Sequence, residues 1–297
     1  MDIKCLRTFQ AVVQCGTYAR AAEHLGYTQS TVTVHIKQLE RDLGIPLFER
    51  VGRRMVLTQK GAEALTQAAD IIAAVDRLGS LAAAEGELSG ELRVDVAESL
   101  LCYAMNEVIS EFRERAPGVR LRLRDGSLAQ ISRTLPHAEC DLSLLYAVDW
   151  RPDDMVVETI AHVSTVAVVA TTVAPPDLQT SGHSVTMPFI IDEPDSVFRI
   201  GFERSLAERG IDLADTMELW TTHAIRRLVT LGMGFTIAPR FAVVDELAAG
   251  QLQTAPSPSD DLAFPVLLAY RKTTWLTPAA QLFIEVVKKH LPAALSR

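Results

Sequence analysis

The feature that most constrains this chain is the order of signals in its first sixty residues. Ile3, Leu6, Phe9 and Val13 recur at helical spacing and mark one buried face. Gly16 stops that helix, and Thr17 can cap the next by accepting from a free amide at its start. Ala21, Ala22 and Leu25 form the buried side of a short second helix, where alanines allow a close helix approach. Gly26 and Tyr27 turn the chain, and Thr28 caps a third helix over residues 29–43. Val32, Ile36, Leu39 and Leu43 lie on one stripe of it. Gln29, Ser30, Thr31, Thr33 and Lys37 fall mostly elsewhere and offer hydrogen-bond donors near the helix start. Such a helix suits a DNA major groove, with early side chains on base edges and its amide end toward phosphate. Residues 45–57 then read as a β-hairpin wing, with Arg50, Arg53 and Arg54 around Gly52. Guanidiniums on a tight turn suit phosphates or the minor groove. Either piece alone could be an ordinary amphipathic helix or a solvated turn. Their consecutive order points to a winged helix-turn-helix.

The charge distribution supports this despite a net charge of −8. Residues 1–60 hold nine Lys/Arg and five Asp/Glu, a net of +4, so the acidity belongs to the remaining chain. Phosphate contacts are local and screened within about 10 Å, so a basic head on an acidic body can bind DNA. The chain's 297 residues accommodate two or three globular units. No apolar run approaches the roughly 18 residues that would cross a bilayer, and the start has no signal-peptide core. No membrane partner is expected. Cys5, Cys15, Cys102 and Cys140 show neither CxxC spacing nor a metal-ligand rhythm, which fits reduced thiols in a cytoplasmic protein. No metal and no cofactor are expected.

The run from Thr17 to Gly61 resembles the LysR-type regulator signature at Ala21, Ala22, Leu25, Gln29, Ile36, Leu39, Glu40, Leu43, Gly44, Leu47, Phe48, Arg50, Leu57 and Thr58. One departure is Val34, which follows Thr33 where many members place Arg or another polar residue. Val34 could instead touch a thymine methyl. The resemblance implies a homodimeric, and further a homotetrameric, regulator of double-stranded DNA. Its DNA-contacting set would be Thr17, Gln29, Ser30, Thr31, Thr33, Val34, Lys37, Arg50, Arg53 and Arg54.

Thr58 can cap a helix over residues 59–85, about 27 residues and roughly 40 Å long. Leu65, Ala69, Ile72, Val75 or Asp76, Gly79 and Ala82 approximate a heptad seam, with Leu78 and Leu81 beside it. This is where the family's linker helix would dimerise. Gly86 and Gly90, with Glu87, Leu88 and Ser89 between them, read as a hinge.

From Leu92 onward, strands alternate with helices. Leu92, Val94 and Val96 alternate, a helix over residues 99–115 follows, and Val119, Leu121 and Leu123 alternate again. Further strands are read at residues 141–146, 163–170, 189–192, 216–220, 235–238 and 266–270, and a last helix at 278–290. This order implies a largely parallel sheet in two α/β lobes joined by two crossovers. It resembles the two-lobed, periplasmic-binding-protein-like effector domain of LysR-type proteins, and residues 232–239 resemble that domain's second-lobe glycine turn and strand. The expected organisation is therefore multidomain: a winged helix-turn-helix over 1–58, a linker helix and hinge over 59–88, and an effector domain over 89–297. Lobe I would cover about 89–161 and 266–297, and lobe II about 162–265.

Ligands in such sheets bind beyond the carboxyl ends of strands, between the lobes. Glu98, Ser99 and Leu100 follow the first strand, and Gly126 and Ser127 the second. In the second lobe, Ser196, Phe198 and Arg199 follow one strand, and Thr222 and His223 another. The expected effector set is Ser99, Leu100, Ser127, Ser196, Phe198, Arg199 and Thr222. Hydroxyls, helix-start amides and one guanidinium suit a small anionic metabolite. Ser99 and Ser127 could instead be simple N-caps, and Arg199 could pair with Asp195 or Glu203. No G-x-S-x-G, H-E-x-x-H, Walker or G-x-G-x-x-G pattern points to an enzyme. A cytoplasmic small-molecule-binding protein of solute-binding fold, with no transcriptional output, is the other reading. The family's peroxide sensors use a cysteine pair in the second lobe, and residues 162–265 contain none.

Overall fold

The computed structural model describes residues 1–51, 54–80 and 88–296, with side chains omitted at 51, 54, 73 and 76–80. The head consists of α1 (Ile3–Cys15), α2 (Tyr18–Leu25), α3 (Gln29–Leu43) and a hairpin of β1 (Phe48–Val51) with β2 (Arg54–Leu57). Thr17 caps α2 by accepting from the amide of Arg20, and Thr28 caps α3 by accepting from that of Thr31. Gly16 and Gly26, at φ of 71° and 67°, take the left-handed turn that ends one helix so that the next can start two or three residues later. Phe9, Ala21, Val32, Ile36, Leu39 and Leu47 close one core. Glu40 reaches beyond α3, where its Oε1 accepts from the amides of Leu47 and Phe48 and fixes the hairpin to the helix. Leu43 departs from the sequence reading: it is 39% exposed. The core is already closed there by Leu39 and by Leu47 from the following loop.

The linker helix α4 (Gln59–Ser80) starts at a Thr58 cap, whose hydroxyl accepts from the amide of Gly61. Leu65, Ala68 and Ile72 of α4 belong to the head's own core and Ala69 is buried beside them, so three of the expected seam positions, Leu65, Ala69 and Ile72, are covered within the chain. The reason is packing: α4 leaves the hairpin directly and lies along α1, which needs an apolar partner. Ile71 and Val75 lie on the outward side, at 39% and 38% exposure. The side chains of Asp76 and Leu78, and all of Leu81, Ala82, Gly86 and Glu87, lie outside the described residues.

The body contains β3 (Gly90–Val96), α5 (Glu98–Tyr103), α6 (Asn106–Arg115), β4 (Val119–Asp125), α7 (Leu128–Thr134), β5 (Leu142–Tyr146), β6 (Met155–Ala170), β7 (Ser184–Val185), β8 (Phe189–Ile191), α8 (Val197–Ala207), β9 (Asp212–Leu213), β10 (Thr216–Glu218), α9 (Thr222–Thr230), β11 (Phe235–Pro239), α10 (Val244–Ala248), β12 (Leu252–Ala255), β13 (Ala263–Arg271) and α11 (Pro278–Leu295). Its sheet runs β10-β8-β11-β6-β13-β5-β3-β4, with β12 also on β6, and β7 pairs β9 separately. The sheet is less parallel than the sequence order implies. β3 pairs in parallel with β4 and β5, and β8 with β10 and β11. β6 and β13 run antiparallel to all their neighbours. Residues 155–164 of β6 pair with β13, and residues 165–170 pair with β11 and β12, so one strand serves both lobes.

The single helix expected over 99–115 is two. Ala104 and Met105, at 3% and 0% exposure, interrupt it and turn both side chains into the core. Asp95 is buried on β3, where its carboxylate accepts two bonds from Arg124 on β4, both at 2.9 Å, and one from Thr134 on α7. A buried charge is tolerated when paired and bonded in this way. On β13 the last residue, Arg271, is buried, and its Nη1 donates to Asp70 of the linker helix at 3.3 Å.

The inward face of α4 generates the first prediction. Ile72→Ala should destabilise the head by about 2–5 kcal/mol, as for other buried Ile truncations. The loss should be independent of protein concentration in thermal melts. A strongly concentration-dependent loss would place Ile72 between subunits instead.

Candidate functional site

Two surfaces bring the sequence-derived residues together. On α3, Ser30, Val34, Lys37 and Arg41 point away from the buried stripe of Val32, Ile36 and Leu39, by the 3.6-residue periodicity of the helix. Gln29, Ser30 and Lys37 are exposed, and Val34 is 58% exposed, large for an apolar side chain without a packing role. The hydroxyls are more occupied than the sequence implies. Those of Ser30 and Thr31 both bond the Thr28 cap at 2.8 Å, and that of Thr33 donates back to the Gln29 carbonyl. Thr17 is likewise a cap. Arg41 was not among the residues singled out from sequence. Its spacing from Lys37 and Val34 was the available signal. A shallow groove beside it is lined by Val34, Lys37, Glu40, Arg41, Gly44, Ile45 and Pro46. Arg50 is exposed on β1, whereas Arg53 and the side chain of Arg54 lie outside the described residues.

The second surface lies between the lobes, where β3, β5, β8 and β10 end. Here the structure divides the expected residues. Ser99 is 7% exposed and its hydroxyl bonds Tyr146 Oη at 2.8 Å, so it faces inward as the second residue of α5 and is not an N-cap. Burial raises the Tyr146 phenol well above its usual range. Leu100 is a core residue at 0% exposure. Ser127 caps α7 by accepting from the amide of Gln130. Ser196 precedes α8 and is half-buried. Phe198 is buried from lobe II against Tyr146 of lobe I, with centroids 4.6 Å apart, and against Phe264 at 5.0 Å. Arg199 is engaged: Nε donates to Glu203, and Nη1 donates to Glu218 and to the Asp192 carbonyl. The pairing with Glu203 is the i,i+4 alternative that the sequence allowed.

Thr222 makes the contact that spans the lobes. It is the first residue of α9, and both its amide and its hydroxyl donate to Glu98 Oε2, at 2.9 and 2.8 Å. One turn on, Arg226 lies over the Tyr103 ring, 4.4 Å from its centroid, and also pairs with Glu246. Thus α5 meets α9 at both of its own ends, Glu98 and Tyr103. His223 is exposed beside this contact.

This architecture, a winged helix-turn-helix joined by a long helix to two lobes sharing their central strands, is matched by two family models. Residues 3–62 match the bacterial regulatory helix-turn-helix protein model of the lysR family, and residues 85–292 match the LysR substrate binding domain. The chain belongs to the LysR family. It is 36% identical to the Escherichia coli (strain K12) HTH-type transcriptional regulator YfiE, over 99% of this chain and 100% of that protein. It is 30% identical to the RuBisCO operon transcriptional regulator of Allochromatium vinosum, over 97% and 95% of the two chains. Among solved LysR-family folds, ArgP from Mycobacterium tuberculosis superposes with a TM-score of 0.73 at 20% identity, covering 100% of this chain and 98% of that one. A full-length OxyR variant from Pseudomonas aeruginosa gives 0.73 at 22%, covering 98% and 94%. The protein is a LysR-type DNA-binding transcriptional regulator with a two-lobed effector-binding domain.

Several groups in this LysR-type cleft had only weak sequence signals. Glu98 stood among the residues after the first strand but was outranked by the hydroxyls beside it. Arg226 and Tyr103 become partners only when the lobes meet. Asp192 ends the apolar run Phe189–Ile191, and one of its carboxylate oxygens is buried without a partner. Burial pushes its pKa up to about 6, against the opposing bond from Ser196. All four cysteines are free, and burial pushes the Cys140 thiol up to about 12, far from a reactive thiolate. No helix among the described residues is long and apolar enough to cross a membrane, and those residues hold no cluster that could bind a metal.

Asp192 yields a pH prediction. A carboxyl whose folded pKa is raised adds stability while it is protonated, and that contribution is lost as pH climbs through the folded value. Stability therefore falls from about pH 4 to just above pH 6 on account of this group. Asp192→Asn should raise the thermal midpoint at pH 7 and flatten that part of the pH profile. A variant melting like the parent from pH 4 to 7 would show that Asp192 titrates normally.

Proposed function

We propose that this regulator is controlled by a small carboxylate-bearing metabolite that enters the interlobe cleft, and that the response is read out by a dimeric head on double-stranded DNA. The observation that carries the ligand class is the grip of Thr222 on a carboxylate. An amide and a hydroxyl at the positive end of α9 converge on one oxygen across the cleft, which is the geometry that favours an anion. The other lining residues fit this in a reduced form. Ser127 and Ser196 stay near the strand ends, whereas Ser99, Leu100 and Arg199 act by shaping and bracing the walls. A ligand shifts only an equilibrium whose states it binds unequally, so the response requires lobes that hold the ligand differently in two arrangements.

The DNA face is assigned to the exposed side of α3 and to the wing. Gln29 and Lys37 offer donors, Val34 offers an apolar contact to a thymine methyl, and Arg41 and Arg50 offer charge to phosphates. Ser30, Thr31, Thr33 and Thr17 chiefly set the helix starts that aim these groups. A relative in fold, Vibrio fischeri DarR, was solved in complex with DNA, with a TM-score of 0.57 to this chain. Dimerisation is assigned to the outward stripe of the linker helix at Ile71 and Val75, and assembly to a tetramer follows the family. No catalytic step is assigned to the chain, and its place is the cytoplasm, where the DNA is.

Two experiments follow. Ile71→Glu combined with Val75→Glu should give a monomeric mass by light scattering with the head still folded, because an unpaired charge is costly in an apolar seam. An unchanged mass would move the seam elsewhere. The effector is sought by fluorescence anisotropy on the regulator's own promoter DNA against a panel of carboxylate metabolites. For the active compound, adding Thr222→Val to a Glu98→Ala variant, whose own carboxylate no longer competes for the site, should raise the half-maximal concentration by about 10-fold or more over Glu98→Ala alone, since it removes one charge-assisted hydrogen bond. A response confined to amines or neutral compounds would sink the assignment.

A further inference from the structure

The carboxylate held at α9 comes from the protein itself, from a residue 124 positions earlier in the other lobe. We infer that Glu98 is a tethered stand-in for the effector: its carboxylate fills the receptor formed by the amide and hydroxyl of Thr222, latches α5 to α9, and is displaced when an effector carboxylate binds. The inference rests on the cleft reading above and adds how the site is kept filled and what must leave it.

Four observations support the exchange. Both donor bonds end on one oxygen, Glu98 Oε2, so a second carboxylate cannot share the site while Glu98 occupies it. Arg199 is engaged with Glu203, Glu218 and the Asp192 carbonyl, and Arg226 with Glu246. With these guanidiniums committed within lobe II, an incoming anion finds its donors at the start of α9. Glu98 is half-buried, and Cys102, one turn on along α5 and close enough for its thiol to feel the Glu98 charge, is exposed. A displaced Glu98 can thus turn toward water without burying an unpaired charge. The remaining link between the helices is the stacking of Arg226 on Tyr103, and Glu246 holds Arg226 to lobe II independently of Glu98. Exchange would leave lobe II intact and release the Thr222 tie on α5.

Tethering sets the scale. A side chain attached to the same fold acts at an effective concentration of millimolar or above, without the entropy cost of capturing a free molecule. A small free carboxylate such as acetate should not displace it. An effector must add contacts elsewhere in the cleft to win.

The test uses full-length protein and acetate as the probe. Glu98→Ala empties the receptor, so sodium acetate should raise the melting midpoint of E98A by about 2–4 °C at ten times its Kd, relative to sodium chloride at equal ionic strength. The parent protein should show no acetate-specific shift. Glu98→Gln, whose amide oxygen can still accept from Thr222, should also show none. If E98A does not fold, Glu98→Ser opens the same gap and should give the same rescue. Equal effects of acetate and chloride on the emptied variant, or an acetate shift of the same size in the parent, would overturn the stand-in. The outcome is separable from the wider reading. A metabolite that alters DNA affinity, with no acetate rescue, would retain the cleft as sensor and reject the exchange. Acetate rescue with no metabolite response would retain the receptor and reject the sensor.

Discussion

The body of this regulator depends on one strand that belongs to both lobes. β6 carries sixteen residues without a break, and its partner changes from β13 to β11 and β12 part-way along. From Thr165 to Ala170 every side chain is buried, so the second half is core wherever the first half goes. β13 brings the chain back to lobe I, pairing with β5 and with the first half of β6, while its Phe264 packs against Phe198 of lobe II. Two lobes tied by two antiparallel strands can rock about the ties but cannot separate or twist freely. The parallel strands of each lobe then present their carboxyl ends to one crevice, which is what places α5 and α9 opposite each other.

Within that crevice, polar capacity has already been matched internally. The Ser99 hydroxyl faces Tyr146, and the Arg199 guanidinium is distributed over three acceptors. Aromatic contact between Tyr146, Phe198 and Phe264 fills the interior with apolar surface. A buried donor left unsatisfied is costly, so a cleft that stands empty for part of its life gains by satisfying itself. The Glu98–Thr222 contact is the clearest case. Asp192 and the Arg226–Glu246 pair are exceptions among the described residues: Asp192 Oδ1, Arg226 Nε and Glu246 Oε2 are buried without a partner, and the Asp192 pKa is raised.

The linker helix connects this body to the head through two kinds of contact. Its inner face completes the head's core with Leu65, Ala68 and Ile72. Asp70 meets Arg271, the buried last residue of β13. The strand paired along the first half of β6 therefore ends against the helix that carries the DNA-binding unit. The outward residues, Ile71 and Val75, are exposed. One helix thus has three stripes in different surroundings, which is why a single heptad does not describe it.

The head was legible in the primary structure almost to the residue. Thr17, Thr28 and Thr58 cap the helices expected of them, and the glycines end them. Caps, turns and short amphipathic stripes are local, so adjacent residues contain nearly all the physics that decides them. The alternation of strands and helices in the body was legible for the same reason, and so was the belonging of both halves to one family. Non-local contacts were not. Whether Ile72 faced a twin or its own head depended on how α4 lies on α1. The break at Ala104 depended on a core that wanted both Ala104 and Met105. The true start of β6 at Met155 depended on pairing with a strand more than a hundred residues later. At the cleft, a serine after a strand can point inward or outward with equal local comfort, and only Tyr146 settled it for Ser99. The partnership of Glu98 with Thr222 spans 124 residues, and no local pattern encodes it. It exists because the shared strands bring two helix starts face to face, where a carboxylate on one lobe finds the unpaired amide of the other.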